Sequence, residues 1–208
     1  MKIDRAGYPF IGGALAAAVA LAALQRPVLA LPFAALSGLL VFFFRDPERR
    51  PPGGPGAVIS PADGRVVVAG EPQAGAAPPG EWRQISIFLS PVNVHVNRIP
   101  VSGRITRVDY RPGRYVPAYN PAAATENECN TIWIEHDGGA VVCRQITGVL
   151  VRRVVCRVKV GDEVTAGDRF GVMKFGSRID LFLPRDARLL VREGQRVRAG
   201  ETILAQLS

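Results

Sequence analysis

Three residues near the C-terminal end of the chain, Phe175-Gly176-Ser177, are of types that allow the chain to react with itself. Glycine has no Cβ, so the backbone at Gly176 can adopt strained angles and the hydroxyl of Ser177 can approach the Gly176 carbonyl closely. Attack by that hydroxyl would move the acyl group from nitrogen to oxygen. β-Elimination of the ester and hydrolysis would then leave a pyruvoyl group in place of Ser177. A Gly-Ser pair alone is a common turn dipeptide, so the rest of the chain must support this chemistry.

Three upstream segments support it because of their composition and their order along the chain. They are Ser60-Pro-Ala-Asp-Gly64, Phe88-Leu-Ser-Pro-Val-Asn-Val-His95 and Glu126-Asn-Glu-Cys-Asn130. Together with Phe175–Asp180, these segments resemble the short bacterial and archaeal branch of the phosphatidylserine decarboxylases, over about residues 46–183.

The resemblance implies an enzyme, a pyruvoyl-dependent carboxy-lyase that converts membrane phosphatidylserine to phosphatidylethanolamine. It implies cleavage between Gly176 and Ser177 into chains 1–176 and 177–208, which remain associated. The pyruvoyl group from Ser177 is then the expected cofactor. It would hold the substrate amine as a Schiff base and accept the electrons released by loss of CO2.

His95 is the candidate base for this chemistry, since a serine hydroxyl is a weak nucleophile until a base removes its proton. Polar residues and valines alternate around it, so Asn93, His95 and Asn97 would share one face of a strand. That pattern alone fits a hydrogen-bonded histidine without a catalytic role equally well. The resemblance implies the catalytic role.

Asp63 and Arg98 complete the predicted site. Asp63 precedes a glycine, as in an ordinary turn, but the resemblance implies a carboxylate that orients His95. Arg98 lies where long-type relatives carry a second histidine. An arginine is permanently charged and cannot act as a base, so we expect Arg98 to bind a phosphate or carboxylate of the substrate.

Composition excludes several other classes of function. The formal net charge of +8 favours nucleic acid, acidic partners or anionic lipid. No helix-turn-helix pattern, zinc spacing or aromatic–basic interleaving is present, so no nucleic-acid partner is expected. With two histidines and no CxxC pair among three cysteines, no metal site is expected.

Two uncharged runs, Ala6–Leu24 and Pro27–Phe44, are each about as long as a helix that crosses a bilayer. Basic residues precede the first run and follow the second, which places both ends in the cytoplasm. We therefore expect residues 1–50 to form a membrane-associated helical hairpin, with the catalytic domain, residues 51–208, on the cytoplasmic face of the cell membrane. A signal peptide, a half-inserted hairpin and a buried soluble hairpin remain alternatives.

The remainder of the chain is predicted to be mostly β, because short Val/Ile-rich runs alternate with Gly, Pro and Asp. Gly161–Asp168 matches Gly194–Glu201 at a period of 33 residues. This unit resembles the strand–turn of biotinyl and lipoyl carrier domains. It predicts a flattened β-barrel or barrel-sandwich-like catalytic domain.

The same resemblance leaves an alternative function open. Met173-Lys174 lies where carrier domains bear their modified lysine, so the chain could be a membrane-tethered carrier with biotin or lipoate on Lys174. A carrier domain is much smaller than this chain and would leave the motifs within residues 51–150 unexplained. A pyruvoyl-dependent decarboxylase of a soluble amino acid would not explain the N-terminal hairpin.

Overall fold

A computed structural model describes residues 2–137, 139–149, 154–173 and 177–208 of the chain. The chain divides into two compact units, and the boundary along the chain lies between Glu48 and Arg49. The predicted cleavage residue Gly176 and the predicted carrier residue Lys174 lie outside the described residues.

The N-terminal unit is built on two apolar helices joined by a short turn. Its elements are β1 (Lys2–Ile3), a 3₁₀ turn (Arg5–Gly7), α1 (Tyr8–Ala23), α2 (Pro27–Phe43) and β2 (Arg45–Asp46). The helical stretch Arg5–Ala23 is long and apolar enough to cross a membrane, with a mean hydropathy of 1.6, whereas α2 is shorter. Large apolar side chains such as Val19 and Val28 are exposed on these helices.

The C-terminal unit is mostly β, which confirms the predicted fold class at this level. Its described elements are β3 (Ala57–Ile59), β4 (Gly64–Gly70), β5 (Trp82–Leu89), β6 (Val96–Arg98), β7 (Gly103–Arg111), α3 (Ala123–Glu126), β8 (Cys129–His136), β9 (Gly139–Ile146), β10 (Val154–Cys156), β11 (Glu163–Val164), β12 (Arg169–Met173), β13 (Ser177–Pro184), β14 (Arg188–Leu189), β15 (Arg196–Val197) and β16 (Ile203–Gln206).

These strands form one large antiparallel sheet and two small ones. The large sheet has the order β11-β7-β8-β9-β13-β5-β4-β15, and the small sheets have the orders β10-β12-β6 and β14-β16-β3. The edge strands β11 and β15 are two residues long, and no pairing between described residues joins them. The described strands therefore form open sheets and no closed barrel, so the barrel-sandwich detail of the prediction is not confirmed.

The two halves of the large sheet have equivalent strand orders when each is followed from its own edge to the centre. β11, β7, β8 and β9 in one half correspond to β15, β4, β5 and β13 in the other, and the two small sheets correspond in the same way. The C-terminal unit thus consists of two equivalent halves, which meet where β9 pairs with β13. The chain of one half, from β6 to β12, is inserted between β5 and β13 of the other half.

The repeat with a period of 33 residues is one part of this equivalence. Gly161 donates its N–H to the carbonyl of Ile105 at 2.8 Å, and Gly194 donates to the carbonyl of Val66 at 2.9 Å. Both glycines have positive φ, 94° and 83°, which residues with a side chain rarely adopt. Val66 and Ile105 end a second repeat, Ser60-Pro-Ala-Asp-Gly-Arg-Val and Ile-Pro-Val-Ser-Gly-Arg-Ile105. Sequence analysis missed that second repeat, because only its proline, glycine and arginine are shared.

Alternation along β13 divides the interior between two cores. Leu181 belongs to the main core together with Ile87 and Ile134, whereas Phe182 packs with Val142 on the opposite face. Successive residues of a strand point to opposite faces, so a strand that is buried throughout needs cover on both sides. All β13 residues except Pro184 are buried, which makes β13 the central strand of the unit.

We predict that Gly103→Ala destabilises the protein by roughly 1–3 kcal/mol. A Cβ at Gly103 would meet the backbone carbonyl oxygen of Glu135 on the neighbouring strand, which cannot move without breaking the sheet. Gly53→Ala is the matched control, because a Cβ there meets no atom within 4 Å. Thermal unfolding of the full chain measures both variants. Equal midpoints for the two would show that the close approach of β7 to β8 does not require glycine.

Candidate active site

Ser177 lies at the end of the large sheet, where the two halves are joined. It is the first residue of β13 and pairs in register with Leu89, the last residue of β5. Its side chain is completely buried, and its Oγ has no hydrogen-bond partner among the residues that the structure describes. Buried hydroxyls almost always have a partner, so this hydroxyl is a candidate reactive group.

Hydrogen bonds hold both the backbone and the ring of His95. Its carbonyl accepts a hydrogen bond from the N–H of Met173, four residues before Ser177. The ring is buried, with Nδ1 2.9 Å from the carbonyl oxygen of Asn93. A carbonyl oxygen can only accept a hydrogen bond. Nδ1 therefore carries a hydrogen atom and donates a hydrogen bond to the carbonyl of Asn93. Nε2 is then the basic nitrogen of the neutral ring.

A turn, not a strand, orients His95. The side-chain oxygen of Asn93 accepts hydrogen bonds from the N–H and the hydroxyl of Ser90, at 2.9 and 2.8 Å. The N–H of Asn93 in turn donates to the carbonyl of Ser90 at 3.0 Å, so this turn satisfies the backbone locally and β6 begins only at Val96. The expectation that Asn93, His95 and Asn97 share a strand face therefore differs from the structure, where only Asn97 lies in the strand.

Asp63 lies in a turn that the carboxylate itself stabilises. Its oxygens accept hydrogen bonds from Arg49 at 2.9 and 3.2 Å and from the N–H of Ala199 at 2.7 Å. In the other half, Ser102 occupies the equivalent position, and its Oγ accepts from the N–H of Ala166 at 2.9 Å. The contact with Ala199 is therefore part of the repeated architecture, and the predicted role of Asp63 as the residue that orients His95 stays a prediction.

Arg98 is also incorporated into this architecture. Its side chain is buried, and its guanidinium donates a hydrogen bond to the carbonyl of Gly167 at 2.8 Å. The aliphatic part of the side chain packs against Gly200, where a Cβ would lie 2.9 Å from Arg98 Cδ. These contacts place Arg98 at the two repeat turns. Its substrate-binding role stays a prediction.

Sequence analysis missed Gln145, which joins Asn97 and Asn130 in a group of three buried amides. Gln145 donates to the side-chain oxygen of Asn97 at 2.8 Å and accepts from Asn130 at 3.4 Å. Gln145 lies opposite Ile179, two residues after Ser177, so these amides extend the polar surroundings of the serine. A single amide forms no motif. Gln145 follows Arg144 in a strand of mixed composition, so no sequence signal singled it out.

The opposite face of β13 holds a buried ion pair directly behind the serine. Arg178 donates to the Asp180 carboxylate at 2.5 Å, to Gln73 at 2.6 Å and to Ser86 at 2.9 Å. Both members of the pair are at most 1% exposed. Arg144 lies opposite Asp180 on β9, and burial lowers the pKa of Arg144, while the negative charge of Asp180 opposes that shift.

The cysteines and acidic residues show no sign of metal chemistry in the described part of the chain. All three cysteines are free, and burial raises the pKa of Cys129 and of Cys143, which keeps these thiols protonated at neutral pH. Within residues 2–137, 139–149, 154–173 and 177–208, no group of three His, Cys, Asp or Glu side chains could hold a metal ion.

We predict that Asp180→Ala lowers the free energy of unfolding by about 3–5 kcal/mol, because Arg178 would remain as a buried, uncompensated charge. Asp109→Ala is the control. The Asp109 carboxylate pairs with Arg107 at 2.6 Å, but both side chains are exposed, so its loss should cost less than about 1 kcal/mol. Urea-induced unfolding of the full chain measures both. A similar loss for both variants would contradict the importance of the buried pair.

Comparison with known proteins shows which protein family the chain is similar to. A profile described as phosphatidylserine decarboxylase matches residues 36–205. Proteins named phosphatidylserine decarboxylase proenzyme are similar over nearly the whole chain. That of Desulfotalea psychrophila is 40% identical, covering 100% of this chain and 97% of its own length. That of Nitrosomonas europaea is 42% identical, covering 98% and 94%, and that of Mycobacterium avium is 44% identical, covering 99% and 86%. The chain belongs to the phosphatidylserine decarboxylase family.

Proposed function

We propose that this protein is a phosphatidylserine decarboxylase that generates its own pyruvoyl group from Ser177. The observation that carries the proposal is the buried Ser177 Oγ, which has no hydrogen-bond partner in the described residues and lies at the start of β13. Membership of the family supports the reaction class, and its relatives are named as proenzymes. The product would be phosphatidylethanolamine and CO2.

Self-processing would begin when Ser177 Oγ adds to the carbonyl carbon of Gly176. His95 Nε2 takes the hydroxyl proton, because Nδ1 already donates to the Asn93 carbonyl. The nitrogen of Ser177 leaves that carbonyl, which gives an ester. Elimination then frees the carboxylate of Gly176, and hydrolysis releases ammonia and leaves a ketone at residue 177.

The residues around Ser177 fit such a group. When formed, the pyruvoyl group would supply the carbonyl that holds the substrate amine as a Schiff base and accepts the electrons released with CO2. Ser177 is fully buried next to Leu89, so water has little access to the reacting atoms. The amides of Asn97 and Gln145 are available as polar partners on the same side of the sheet.

The two chains of the mature enzyme would remain together through the sheets. The small chain, 177–208, contributes β13, which pairs with β5 and β9 of the large chain. β15 pairs with β4, and β16 pairs with β3. Each of these pairings joins the two chains by backbone hydrogen bonds, and cleavage before Ser177 breaks none of them.

The N-terminal unit would bring the enzyme to its lipid substrate. We propose that residues 1–50 form a membrane-associated helical hairpin, with residues 51–208 as the decarboxylase domain on the cytoplasmic face of the cell membrane. The apolar stretch Arg5–Ala23 supports membrane insertion by its length and composition. We also propose that the paired glycine turns make the domain barrel-sandwich-like, and that Arg98 contributes positive charge to substrate binding.

The proposed function predicts two chains from one precursor. The wild-type protein should yield fragments 1–176 and 177–208, the smaller blocked to Edman sequencing by its pyruvoyl terminus. Ser177→Ala should remain full-length and inactive, because the nucleophile is lost. Intact mass under denaturing conditions and phosphatidylethanolamine production measure both. A processed Ser177→Ala protein would refute the proposal, and a whole, heavier wild-type chain would instead indicate a carrier modified at Lys174.

The roles of His95 and Asp63 predict different rates of precursor loss. His95→Ala should slow cleavage by about 10²–10⁴-fold, because Ser177 loses its base. Asp63→Asn should slow it much less, since the Asn93 carbonyl still holds the His95 ring. A time course of precursor on denaturing gels measures both, with Ser102→Ala as the control for loss of the equivalent turn. If His95→Ala cleaves at the wild-type rate, another group is the base.

A further inference from the structure

The two halves of the domain differ in charge at one equivalent position on the sheet edges. In the inserted half, β11 pairs with β7 and places Glu163 opposite Arg104, with their charged groups 4.0 Å apart. In the half that contains Ser177, β15 pairs with β4 in the same way and places Arg196 opposite Arg65. One edge therefore carries an arginine–glutamate pair, and the other carries two arginines in the same backbone geometry.

No described residue supplies a compensating negative charge to Arg65 and Arg196 on the second edge. Both side chains are exposed, and neither has an ion-pair or hydrogen-bond partner within the described part of the chain. Like charges directly opposite each other on neighbouring strands destabilise a sheet. The equivalent edge shows that this backbone accommodates a glutamate there. Two guanidinium groups at this spacing are suited to bind one anion between them, since arginine hydrogen-bonds to phosphate with a planar fork.

A cavity of about 470 Å³ lies at these arginines, within the size range of small-molecule sites. Its lining residues are Gly64, Arg65, Phe88, Ser90, Val92, Asn93 and Arg196. Phe88 and the exposed Val92 give the cavity an apolar wall beside the two cations. Phe88 is held in place by an edge-to-face contact with Tyr119, whose ring centroid is 6.1 Å away. This combination suits an anion that carries an organic group.

The cavity also adjoins the candidate active site. Arg65 lies opposite Phe88 on β5, and Phe88 lies opposite Arg178, the residue after Ser177. Two strand spacings separate Arg65 from Arg178, about 10 Å between backbones, which an arginine side chain and a headgroup can span together. Asn93 lines the cavity, and its carbonyl accepts a hydrogen bond from His95 Nδ1.

We propose that Arg65 and Arg196 bind the phosphodiester of the substrate's headgroup. This inference rests on the proposed function, because it takes the substrate to be a phospholipid with a serine headgroup. Ser177 and Arg178 point to opposite faces of β13. The headgroup would therefore lie against the two arginines and reach residue 177 around the end of β5, past the Ser90–Asn93 turn. Arg98 donates to the Gly167 carbonyl and does not line this cavity.

The test measures binding without turnover, in full-length protein that carries Ser177→Ala and is dispersed in detergent. Isothermal titration with glycerophosphoserine probes the headgroup diester, and a second titration with inorganic phosphate probes a free anion. Adding Arg196→Glu should weaken glycerophosphoserine binding by about tenfold or more, because one charged hydrogen-bonding partner is lost and a repelling carboxylate is added. The same change recreates the arginine–glutamate pair of the other edge, so the unfolding midpoint should not fall.

Two control variants separate this site from general attraction to a basic protein. Arg188→Glu makes the same change in net charge on another exposed strand, and should leave binding unchanged. Glu163→Arg creates an arginine pair on the edge that lacks the cavity, and should not increase binding. Equal weakening by Arg188→Glu, or unchanged binding in Arg196→Glu, would overturn the proposal.

The two ligands separate a headgroup site from a site for any anion. Glycerophosphoserine should bind more tightly than inorganic phosphate and should displace it, since the apolar wall contacts the organic part. If phosphate binds and glycerophosphoserine does not compete, the headgroup assignment is wrong. Because the Ser177→Ala protein neither matures nor turns over, these results are independent of whether the wild type forms a pyruvoyl group. That question is answered by mass and product analysis.

Discussion

The pairing of β13 with β5 and β9 is the constraint on which the rest of the structure depends. It joins the two halves of the domain, divides the interior into two cores and fixes Ser177 at the end of the sheet. A strand buried on both faces cannot shift by one residue without moving every side chain to the wrong core. The position of Ser177 is therefore fixed by the packing of the residues that follow it, Ile179 to Leu183.

The proposed catalytic residues lie where the two otherwise equivalent halves differ. In the inserted half, β8 and β9 follow each other closely, and Gly139 lies at the position of Ser177. In the other half the same connection is replaced by the whole inserted half, and His95 lies between β5 and β6, where the chain enters that half. Ser102 and Asp63 differ in the same sense, since only the carboxylate also pairs with Arg49. In the proposed function, the repeated scaffold supplies rigid backbone, and the differences between its halves supply the reactive residues.

The sequence predicted those features that depend on local pattern. Alternation of short apolar runs with glycine and proline predicted the β content, and the period of 33 residues identified the paired glycine turns. It could not predict that Asn93 holds His95, because the alternating pattern also favoured a strand there. It could not predict the Arg49–Asp63 pair or the Asn97–Gln145 contact, since the fold alone brings residues from distant segments together. The missing negative charge at Arg65 and Arg196 is recognised only by comparison with the Arg104–Glu163 pair on the other edge.

The Ser177 hydroxyl has no partner among the described residues, which is consistent with the proposal that this group exists only until it reacts. A buried polar group without a partner costs about 1–3 kcal/mol, a cost that stable folds normally avoid. Here the surrounding pairing of β13 is strong enough to hold the serine in place despite that cost. The proposed conversion of the serine to a ketone would remove the hydroxyl donor and leave the pairings of β13, β15 and β16 with residues 1–176 in place. The same contacts that position the nucleophile before cleavage would therefore position the new chain end after it, with no rearrangement of the sheet.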